Sequence, residues 1–308
     1  MVQSSKASVS ARQLPLLLAA RSLLPRYQGI VSEEYLARTW ELLHGARVCR
    51  PWVERWVRTR LLHSLLDLQE RWLLPGLTAH VLHRKAWVHS ELEAAISGGL
   101  GGLLVLGAGL DPLASLALES GRVTTAIEID HPPTQRLKAM ALSGLPASAR
   151  PRLVPLDLGT TDLSATLQTL PEVEGGYTVV AEGLLMYLRP SAVVDILTSL
   201  RSSLGPGTRL IATYAEADPR GRVALGRRPG FLRWRARVAG EPLQWGLDTE
   251  SAESFFREAG WSPLTHTRSS ERMDPERSTL LAPHLRPGMG EHFLALVVPS
   301  IPSEDPAS

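Results

Sequence analysis

The sequence predicts an α/β fold built on a doubly wound, mostly parallel sheet. Three observations lead to this prediction. Apolar runs of strand length alternate with helix-length segments, as they do in βαβ units. A glycine turn follows the first of these runs, and acidic residues end the second. In a parallel sheet both features would lie at the carboxyl edge, where such sheets bind their ligands.

The elements of the sheet can be placed in order along the chain. The predicted strands are 103–106, 123–129, 152–156, 177–181, 209–214 and 291–299. The predicted helices are 112–119, 133–142, 163–170, 191–204 and 251–259. The last helix and strand would close the sheet. Residues 218–247 interrupt the alternation with Pro, Gly and Arg, and we interpret this long loop as a lid, because such loops are usually functional.

Helices are predicted ahead of the sheet. Residues 1–95 are interpreted as a helical cap on a main domain at 96–299, and residues 300–308 as a disordered tail. A helix over 53–74 is followed by another over 83–96. The first has arginines between its apolar residues Val53, Trp56, Val57, Leu61, Leu65, Leu68 and Trp72. A membrane-surface or partner-binding helix is one interpretation; we favour an amphipathic helix packed on the main domain.

The glycine turn is followed by signals for the start of a helix. Gly107, Ala108 and Gly109 come directly after the first strand. Asp111 suits an N-cap, and Pro112 suits the first helical position. This strand, turn and helix arrangement is the context in which a glycine turn approaches a nucleotide cofactor.

The acids after the second strand suggest where a ribose would bind. Glu128 and Asp130 lie roughly 20 residues beyond the glycines, the usual place of a ribose-binding carboxylate. A dinucleotide site would also need a small residue three positions after Gly109, where this chain has Pro112. Asp111 would repel phosphates at the helix N-terminus. A cofactor without phosphates, S-adenosylmethionine, therefore fits better than NAD(P), and an NAD(P)-binding oxidoreductase is disfavoured.

Four segments together resemble the consecutive motifs of a known family. They are LGAGLD at 106–111, EIDHP at 128–132 followed by Gln135 and Lys138, LDL at 156–158, and AEGLLMYL at 181–188. This combination is similar to that of the leucine carboxyl methyltransferase family of S-adenosylmethionine-dependent enzymes, over roughly residues 84–298. The resemblance implies a Rossmann-like class I methyltransferase fold with an antiparallel last strand. Members include protein C-terminal carboxyl methyltransferases, a tRNA-modifying branch and bacterial enzymes that esterify secondary metabolites.

The resemblance also implies roles for individual residues. Arg84 would pair with the cofactor carboxylate, and Glu182 would contact its amino acid end. Asp130, with Glu128 beside it, would hold the ribose. Asp157 and Leu158 would frame the adenine. The full set of implied cofactor-binding residues is Arg84, Gly107, Ala108, Gly109, Glu128, Asp130, Asp157, Leu158 and Glu182.

The chemistry of the acceptor decides whether a catalytic base is required. A carboxylate, with a pKa near 4, is already an anion at neutral pH, whereas a phenol near 10 must lose a proton. A carboxyl methyltransferase therefore needs anion recognition and positioning, and no catalytic residue. We expect Tyr187, Arg233 and Arg235 to line the acceptor pocket. The last two belong to the arginines of the lid, which are Arg220, Arg222, Arg227, Arg228, Arg233, Arg235 and Arg237.

The leading hypothesis is an O-methyltransferase that forms a methyl ester on a small-molecule carboxylate, with S-adenosylmethionine as cofactor. Three alternatives stay open. The acceptor can be a polyketide-type hydroxyl, for which His89, His131 or His292 is the candidate base. It can be a protein C-terminal carboxylate. The chain can also be an inactive scaffold that binds a partner or membrane through its Arg/Trp helix.

Composition narrows the class of protein. The 308 residues carry 33 Lys and Arg against 31 acids, a formal charge of +2, so nothing calls for a nucleic-acid partner. The single cysteine, Cys49, excludes an intramolecular disulfide, and we expect no metal. The apolar stretch at 14–24 contains Arg21 and lacks a clear cleavage site, so we expect neither a signal peptide nor membrane insertion. A cytoplasmic location is expected, and the oligomeric state is left open.

Overall fold

The computed structural model of the protein describes residues 7–57, 59–226, 228–271 and 289–300. The strands are β1 (Gly102–Leu106), β2 (Thr125–Asp130), β3 (Arg152–Pro155), β4 (Tyr177–Ala181), β5 (Arg209–Ala215), β6 (Ser262–Arg268) and β7 (Glu291–Val297). The helices are α1 (Val9–Arg21), α2 (Glu33–Gly45), α3 (Pro51–Val57), α4 (Arg60–Leu73), α5 (Leu77–Ser97), α6 (Leu113–Glu119), α7 (Pro132–Leu142), α8 (Ser164–Leu167), α9 (Pro190–Leu204), α10 (Pro229–Val238) and α11 (Thr249–Glu258). Of the predicted disordered tail at 300–308, residues 301–308 lie outside the described residues.

The strands form one sheet in the order β3-β2-β1-β4-β5-β7-β6. β1 lies in the sheet between β2 and β4 and is parallel to both. β7 pairs antiparallel with β5 and with β6. The strand order reverses at β1 and β4, and such a reversal opens a crevice at the carboxyl ends of the strands. The predicted α/β fold, with a doubly wound, mostly parallel sheet and an antiparallel last strand, is confirmed.

The central strands are apolar on both faces because helices cover both sides of the sheet. Every residue of β1 and of β4 is buried. Side chains alternate along β1, so Leu104 packs in a cluster with Ile196 of α9, whereas Leu103 and Val105 pack with Trp87 of α5. A slip of one residue would exchange the two sets, and the two clusters therefore fix the register of the strand.

The structure contains two elements that the sequence did not predict. β6 is an edge strand whose residues are half-buried or exposed, and its polar composition resembles that of a loop. α10 lies inside the segment 218–247, so the predicted lid is a helix with flanking turns and not one long loop. A smaller difference concerns α6, which begins at Leu113 and not at Pro112; the Asp111 carboxylate accepts a hydrogen bond from the Leu113 amide at 2.8 Å.

The N-terminal helices pack over the carboxyl edge of the sheet. Tyr27, Tyr35 and Leu82 are buried in a cluster formed by α1, α2 and α5. α1 also covers the glycine turn, because a Cβ added to Gly109 would lie 3.3 Å from Ala11. α5 contacts β4, β5 and β7. Within the described ranges no helix is long and apolar enough to cross a membrane. The division of the chain near residue 95 stays a prediction.

The helix expected over residues 53–74 is two helices in the structure. Thr59 has an extended backbone, and its hydroxyl accepts a hydrogen bond from the Leu62 amide, which makes Thr59 the N-cap of α4. The break between α3 and α4 therefore has a local cause. Apolar periodicity continues across it, and for this reason the pattern alone predicts a single helix.

Five of the seven apolar residues that define the predicted stripe point away from the protein, whereas Val53 is half-buried and Val57 is buried. The exposed fraction is 51% for Trp56, 67% for Leu61 and 57% for Trp72. On the opposite side of α4, Glu70 is buried against Arg21 of α1. The favoured interpretation, in which the apolar stripe packs on the main domain, is therefore wrong, because α4 turns its polar side inward.

Phe293 of β7 provides a test of packing at the sheet. It is fully buried and stacks on Trp87, with the ring centroids 5.1 Å apart. Phe293→Ala should lower the free energy of unfolding by about 3–5 kcal/mol, because it leaves a cavity in the core. Urea denaturation followed by circular dichroism measures this change. Leu264→Ala, at a half-exposed position of β6, is the control and should change it by less than about 0.5 kcal/mol. Equal effects of the two substitutions would contradict the described packing.

Candidate active site

The carboxyl ends of β1, β2 and β4 open into a cavity of about 540 Å³. Ligand pockets commonly measure roughly 300–1,000 Å³, so this first cavity is large enough for a nucleoside cofactor. It brings together most of the residues that the sequence predicts for cofactor binding. Those that line it are Arg84, Gly107, Gly109, Asp130, Asp157, Leu158 and Glu182. Ala108 is buried between the two glycines and is not part of the lining.

The glycine turn has a backbone that favours glycine. Gly107 and Gly109 have φ values of 68° and 54°, in the left-handed region. A Cβ on Gly107 would also lie 3.0 Å from the side chain of Leu184. Asp130 fixes the turn from the neighbouring strand, because its carboxylate accepts hydrogen bonds from the amides of Gly109 at 2.7 Å and His131 at 2.6 Å. Burial raises the pKa of Asp130, while these two amides oppose the rise.

Asp157 and Leu158 lie in the turn that follows β3. The Asp157 carboxylate accepts a hydrogen bond from the Gly159 amide at 2.9 Å, which closes the turn locally. Arg189 donates to the carbonyl of Gly159 at 2.8 Å and ties this turn to the start of α9. Leu158 is buried and presents an apolar wall. This arrangement is compatible with a planar heterocycle held between an apolar surface and a carboxylate.

Glu128 lies below the cavity and not in its wall. It is 1% exposed and forms an ion pair with Lys138 of α7 at 3.0 Å. Burial raises the pKa of Glu128 to about 7, although Lys138 opposes the rise. Lys138 also donates to the carbonyl of Asp111 at 2.5 Å. The expectation that Glu128 contacts a ribose is not met here, because α7 packs over this part of β2 and takes the carboxylate into a structural pair.

Arg84 occupies the centre of a buried network of charges. Its Nε donates to Glu182 at 2.7 Å, and its Nη1 donates to both carboxylate oxygens of Glu291, at 3.1 and 2.9 Å. His80 completes the Glu291 contacts, with Nε2 at 2.5 Å from Oε2. Burial alone would raise the pKa of Glu291, but Arg84 and His80 hold it at about 2. Arg84 thus joins α5 to the ends of β4 and β7.

Lys85 extends the network to the start of α6. Its Nζ donates to Glu182 Oε2 at 2.8 Å and forms a second ion pair with Asp111. Tyr35 of α2 donates its hydroxyl to the same Asp111 carboxylate at 2.8 Å. Burial alone would raise the pKa of Asp111, but Lys85 holds it at about 2. The expected role of Arg84 as a partner of the cofactor carboxylate must therefore operate alongside its two protein carboxylates.

A second cavity of about 430 Å³ lies beside the first. Arg84, Gly183, Tyr187 and Glu241 line both cavities, so the two spaces share a wall. The second cavity is largely apolar, with Leu14, Leu17, Leu66, Leu74, Leu77, Val81, Met186, Leu225, Leu232, Leu243 and Met289 in its lining. Burial raises the pKa of the Tyr187 phenol, which therefore stays protonated at neutral pH. Tyr187 lies at the boundary between the two cavities, and its place in an acceptor pocket stays a prediction.

The arginines of the segment 218–247 differ in what they contact. Arg235 lines the second cavity, and its guanidinium forms no hydrogen bond or ion pair with any of the described residues. Arg233 lines neither cavity, because it donates to the carbonyl of Val223 at 2.6 Å and braces its own segment. The expectation that Arg233 lines the acceptor pocket is therefore not met. Arg222 pairs with Asp218 at 2.9 Å, and Arg227 lies outside the described residues.

Glu241 connects the segment 218–247 to the N-terminal helix. Its carboxylate accepts hydrogen bonds from the amide of Val9 at 2.6 Å and from the hydroxyls of Ser8 and Ser10 at 2.6 and 2.5 Å. An acid at this position stabilises the first turn of α1, where the helix dipole is positive. Glu241 thereby holds α1 against the lid segment at the junction of the two cavities.

The comparison with known proteins identifies the family. The family described as leucine carboxyl methyltransferase matches residues 32–201, more than half of the chain. The chain belongs to this family. A similar protein from Mycobacterium avium is 29% identical over 257 residues, which cover 80% of this chain and 79% of the relative. Another from the same organism is 26% identical over 215 residues, 68% of this chain and 70% of the relative. Both are named as S-adenosyl-L-methionine-dependent methyltransferases, in agreement with the cofactor that the sequence predicts.

Solved structures show the same fold at low sequence identity. A methyltransferase from Thermobifida fusca is 14% identical, with a TM-score of 0.55 and 97% of each chain covered. A DUF574 family protein from Streptomyces avermitilis is 15% identical, with a TM-score of 0.55, and the match covers 76% of this chain and 88% of that one. These likenesses concern the fold. Membership of the leucine carboxyl methyltransferase family makes the protein a methyltransferase.

Several residues of this methyltransferase site were not predicted from the sequence. Lys85 and Glu291 belong to the charge network, and Arg12 of α1 lines the first cavity with a buried Nε that has no hydrogen-bond partner among the described residues. A signal for Glu291 does exist, because it opens the apolar run of β7 and an acid buried in a strand requires a partner. Nothing in the local sequence distinguishes Arg12 from an ordinary helix-surface arginine.

Removing Arg84 tests the charge network. Arg84→Met should lower the free energy of unfolding by about 3–5 kcal/mol at neutral pH, because Glu182 and Glu291 stay buried without their shared cation. The depressed pKa of Glu291 stabilises the wild type above the ordinary carboxyl pKa, and this contribution is lost as the pH falls toward 2. The difference between wild type and variant should therefore shrink below about pH 4.

The measurement is urea denaturation at a series of pH values. Arg122→Met is the matched control, since Arg122 pairs with Glu93 at the surface and should contribute less than about 1 kcal/mol. A pH-independent effect of Arg84→Met, or one no larger than that of Arg122→Met, would contradict the described network.

Proposed function

We propose that the protein uses S-adenosylmethionine to form a methyl ester on the carboxylate of an apolar small molecule. The first cavity would hold the cofactor and the second the acceptor. The observation that carries the proposal is Arg235, whose guanidinium has no hydrogen-bond or ion-pair partner among the described residues and lines a cavity with a mostly apolar surface. A half-buried cation in such a place fits an anionic group on an apolar ligand.

The residues of the first cavity fit this cofactor. Asp130 uses both carboxylate oxygens on backbone amides, and each oxygen keeps a lone pair for a ribose hydroxyl. The buried Nε of Arg12 finds no hydrogen-bond partner in the part of the chain that the structure describes, and the carboxylate of a methionine moiety would satisfy it. Glu182 faces the same cavity and would accept from the amino group. The glycine turn lets this group approach the backbone without a Cβ between them.

The bound cofactor supplies a methyl group activated on a sulfonium. The protein must then hold the acceptor in line with that methyl group and keep water out. Arg235 would orient the acceptor carboxylate, and the Tyr187 hydroxyl at the shared wall would steady it. The junction is covered by α1, which Glu241 fastens to the lid segment. No proton has to leave a carboxylate at neutral pH, so these residues act by binding and positioning.

The histidines give less support to a hydroxyl acceptor. Of the candidate bases from the sequence, His89 and His292 line neither cavity, and His131 lines only the first, which would hold the cofactor. His80 does line the second cavity, but its Nε2 is bonded to Glu291 and its Nδ1 is covered. A general base must reach the proton that it removes. The histidine nearest to that role is therefore held in the charge network, and a carboxylate acceptor is the better fit.

Asp130 tests the location of the cofactor. Asp130→Ala should weaken the binding of S-adenosylhomocysteine by about 1–3 kcal/mol, or roughly 5- to 150-fold in Kd, because charge-assisted hydrogen bonds are lost. Isothermal titration calorimetry measures the affinity. Asp195→Ala, at an exposed site on α9, is the control and should bind as the wild type does. Unchanged affinity in Asp130→Ala, or tighter binding of NAD than of S-adenosylhomocysteine, would show that the cofactor site is misassigned.

The bond formed by the enzyme tests the nature of the acceptor. Purified protein is incubated with methyl-labelled S-adenosylmethionine and a panel of apolar carboxylic acids, and the products are treated with mild base. We expect the label to leave as methanol, because esters hydrolyse under these conditions and methyl ethers do not. A base-stable product formed from a hydroxylated compound would overturn the carboxylate proposal and leave the methyltransferase assignment intact.

Arg235 is tested in the same assay, with Arg237 as the matched control. Arg235→Gln should raise KM for the acid by roughly 10- to 100-fold, the loss of one charge-assisted hydrogen bond, with a smaller effect on kcat. Arg237→Gln removes an exposed arginine from the same helix and should leave both constants unchanged. Equal kinetics of the two variants would exclude Arg235 as the group that binds the anion.

A further inference from the structure

One face of the protein combines exposed apolar side chains with arginines. We call this the α3–α4 face and define it by Trp52, Trp56, Leu61, Leu65, Leu68 and Trp72, whose exposed fractions lie between 51% and 67%. Isolated exposed apolar residues are ordinary, but six on two consecutive helices form a continuous stripe. An apolar patch of this kind marks a surface that meets another apolar phase.

The orientation of α4 makes this exposure specific. Its buried side is polar, since Arg21 of α1 forms ion pairs with Asp67 and Glu70 and donates to the carbonyl of His63 at 3.3 Å. Glu70 also accepts from the amide of Thr78 at 2.9 Å. Contacts between charged groups thus hold the polar side of α4 against the protein. The apolar side chains of α4 in the α3–α4 face are exposed because these polar contacts hold the opposite side of α4 against the protein.

The charges around the stripe have one sign. Arg55 and Arg71 are exposed on α3 and α4. The three acids of these helices are turned inward or paired, with Glu54 beside His44 at 3.3 Å and Asp67 and Glu70 on Arg21. No acid among the described residues of α3 and α4 is exposed. The face is therefore complementary to a surface that is both apolar and anionic.

The same chemistry recurs on α10, at the second cavity. Trp234 and Val238 are 60% and 70% exposed, Arg237 is exposed beside them, and the helix contains no acid. Leu232 and Arg235 from the other side of α10 line the second cavity, as does Leu66 of α4. Both helices thus combine an exposed apolar side with a side that forms the wall of the proposed acceptor space.

We propose that the α3–α4 face docks on the surface of a bilayer that contains anionic lipids. Helices with exposed Trp and Leu on one side and arginines beside them lie in the membrane interface, with the apolar side at the acyl boundary and the cations among the headgroups. α10, which lines the second cavity together with Leu66 of α4, has the same combination of exposed apolar residues and arginine. An acceptor acid that partitions into lipid would then reach the second cavity from the membrane.

A second copy of this chain is the other occupant that the apolar stripe would fit. A twofold interface would place the α3–α4 face against itself. Arg55 and Arg71 of both copies would then enter the same interface, with no exposed acid among the described residues of either helix to pair with them. Burying like charges without partners opposes such a dimer. An anionic lipid surface supplies the missing counter-charges, and for this reason we favour it.

The test is sedimentation of the full-length protein with vesicles. We expect it to bind vesicles of phosphatidylcholine mixed with phosphatidylglycerol, and to bind pure phosphatidylcholine vesicles more weakly. Salt should reduce the binding to the mixed vesicles, since the attraction to anionic headgroups is screened. The tryptophan emission should shift to shorter wavelength when vesicles are added, because Trp52, Trp56 and Trp72 leave water.

A pair of matched variants makes the test specific to this face. Leu65→Glu/Leu68→Glu should reduce vesicle binding by roughly tenfold or more, because both side chains would be driven from the interface and repelled by anionic lipid. Val194→Glu/Leu264→Glu makes the same number of apolar-to-acid changes at positions 42% and 50% exposed elsewhere, and should bind as the wild type does. Unchanged affinity for S-adenosylhomocysteine in both variants confirms that they fold and separates this result from the cofactor assignment.

Two outcomes would overturn the proposal. One is the absence of wild-type binding to the mixed vesicles, or equal binding by the two double variants. The other is a wild-type dimer in sedimentation velocity that Leu65→Glu/Leu68→Glu separates into monomers, without vesicle binding by the wild type. That second result would assign the face to a second copy of the chain.

Discussion

Arg84 is the group on which the architecture of this methyltransferase site depends. Its guanidinium lies between Glu182 at the end of β4 and Glu291 at the start of β7, and it is itself almost wholly buried. Three buried charges of this kind are tolerated only because each has a close partner of opposite sign. The network therefore fixes α5 relative to the carboxyl edge of the sheet. Lys85 of the same helix forms an ion pair with Asp111 and so links the network to the start of α6.

The two cavities follow from this arrangement. Arg84 and Tyr187 stand in their common wall, so two polar side chains lie between the cavity at the glycine turn and the cavity that holds most of the leucines and methionines of α4, α10 and their neighbours. Transfer between two ligands requires their reacting atoms to meet at a fixed place, and a rigid wall is a suitable support for that. Glu241 accepts a hydrogen bond from the first turn of α1 and thereby joins the lid segment to α1 beside this wall. The site is thus assembled from four separate parts of the chain.

The sequence predicts well what depends on local pattern. Apolar runs, the turn at Gly107 and the acid at Asp130 lie close together along the chain, and they place the cofactor edge and most of its lining. Contacts between residues that are far apart in the sequence are harder to predict. Glu128 has the strand position of a ligand-binding acid, yet it pairs with Lys138 because α7 packs over it. The Arg84 network joins residues about two hundred positions apart, and only the folded chain shows that its charges are shared.

The α3–α4 face shows a further limit of pattern. Periodicity reveals that a helix has an apolar side, but it does not show whether that side faces the protein or the solvent. Direction is decided by which side finds the better partner, and Arg21 binds the polar side of α4 through Asp67 and Glu70. A chain that holds charged groups inside and leaves leucines outside gives up the hydrophobic stabilisation that the reverse orientation would bring. Such an arrangement is reasonable where the apolar side meets a second phase, and the apolar cavity behind α4 and α10 suggests that the acceptor comes from that phase.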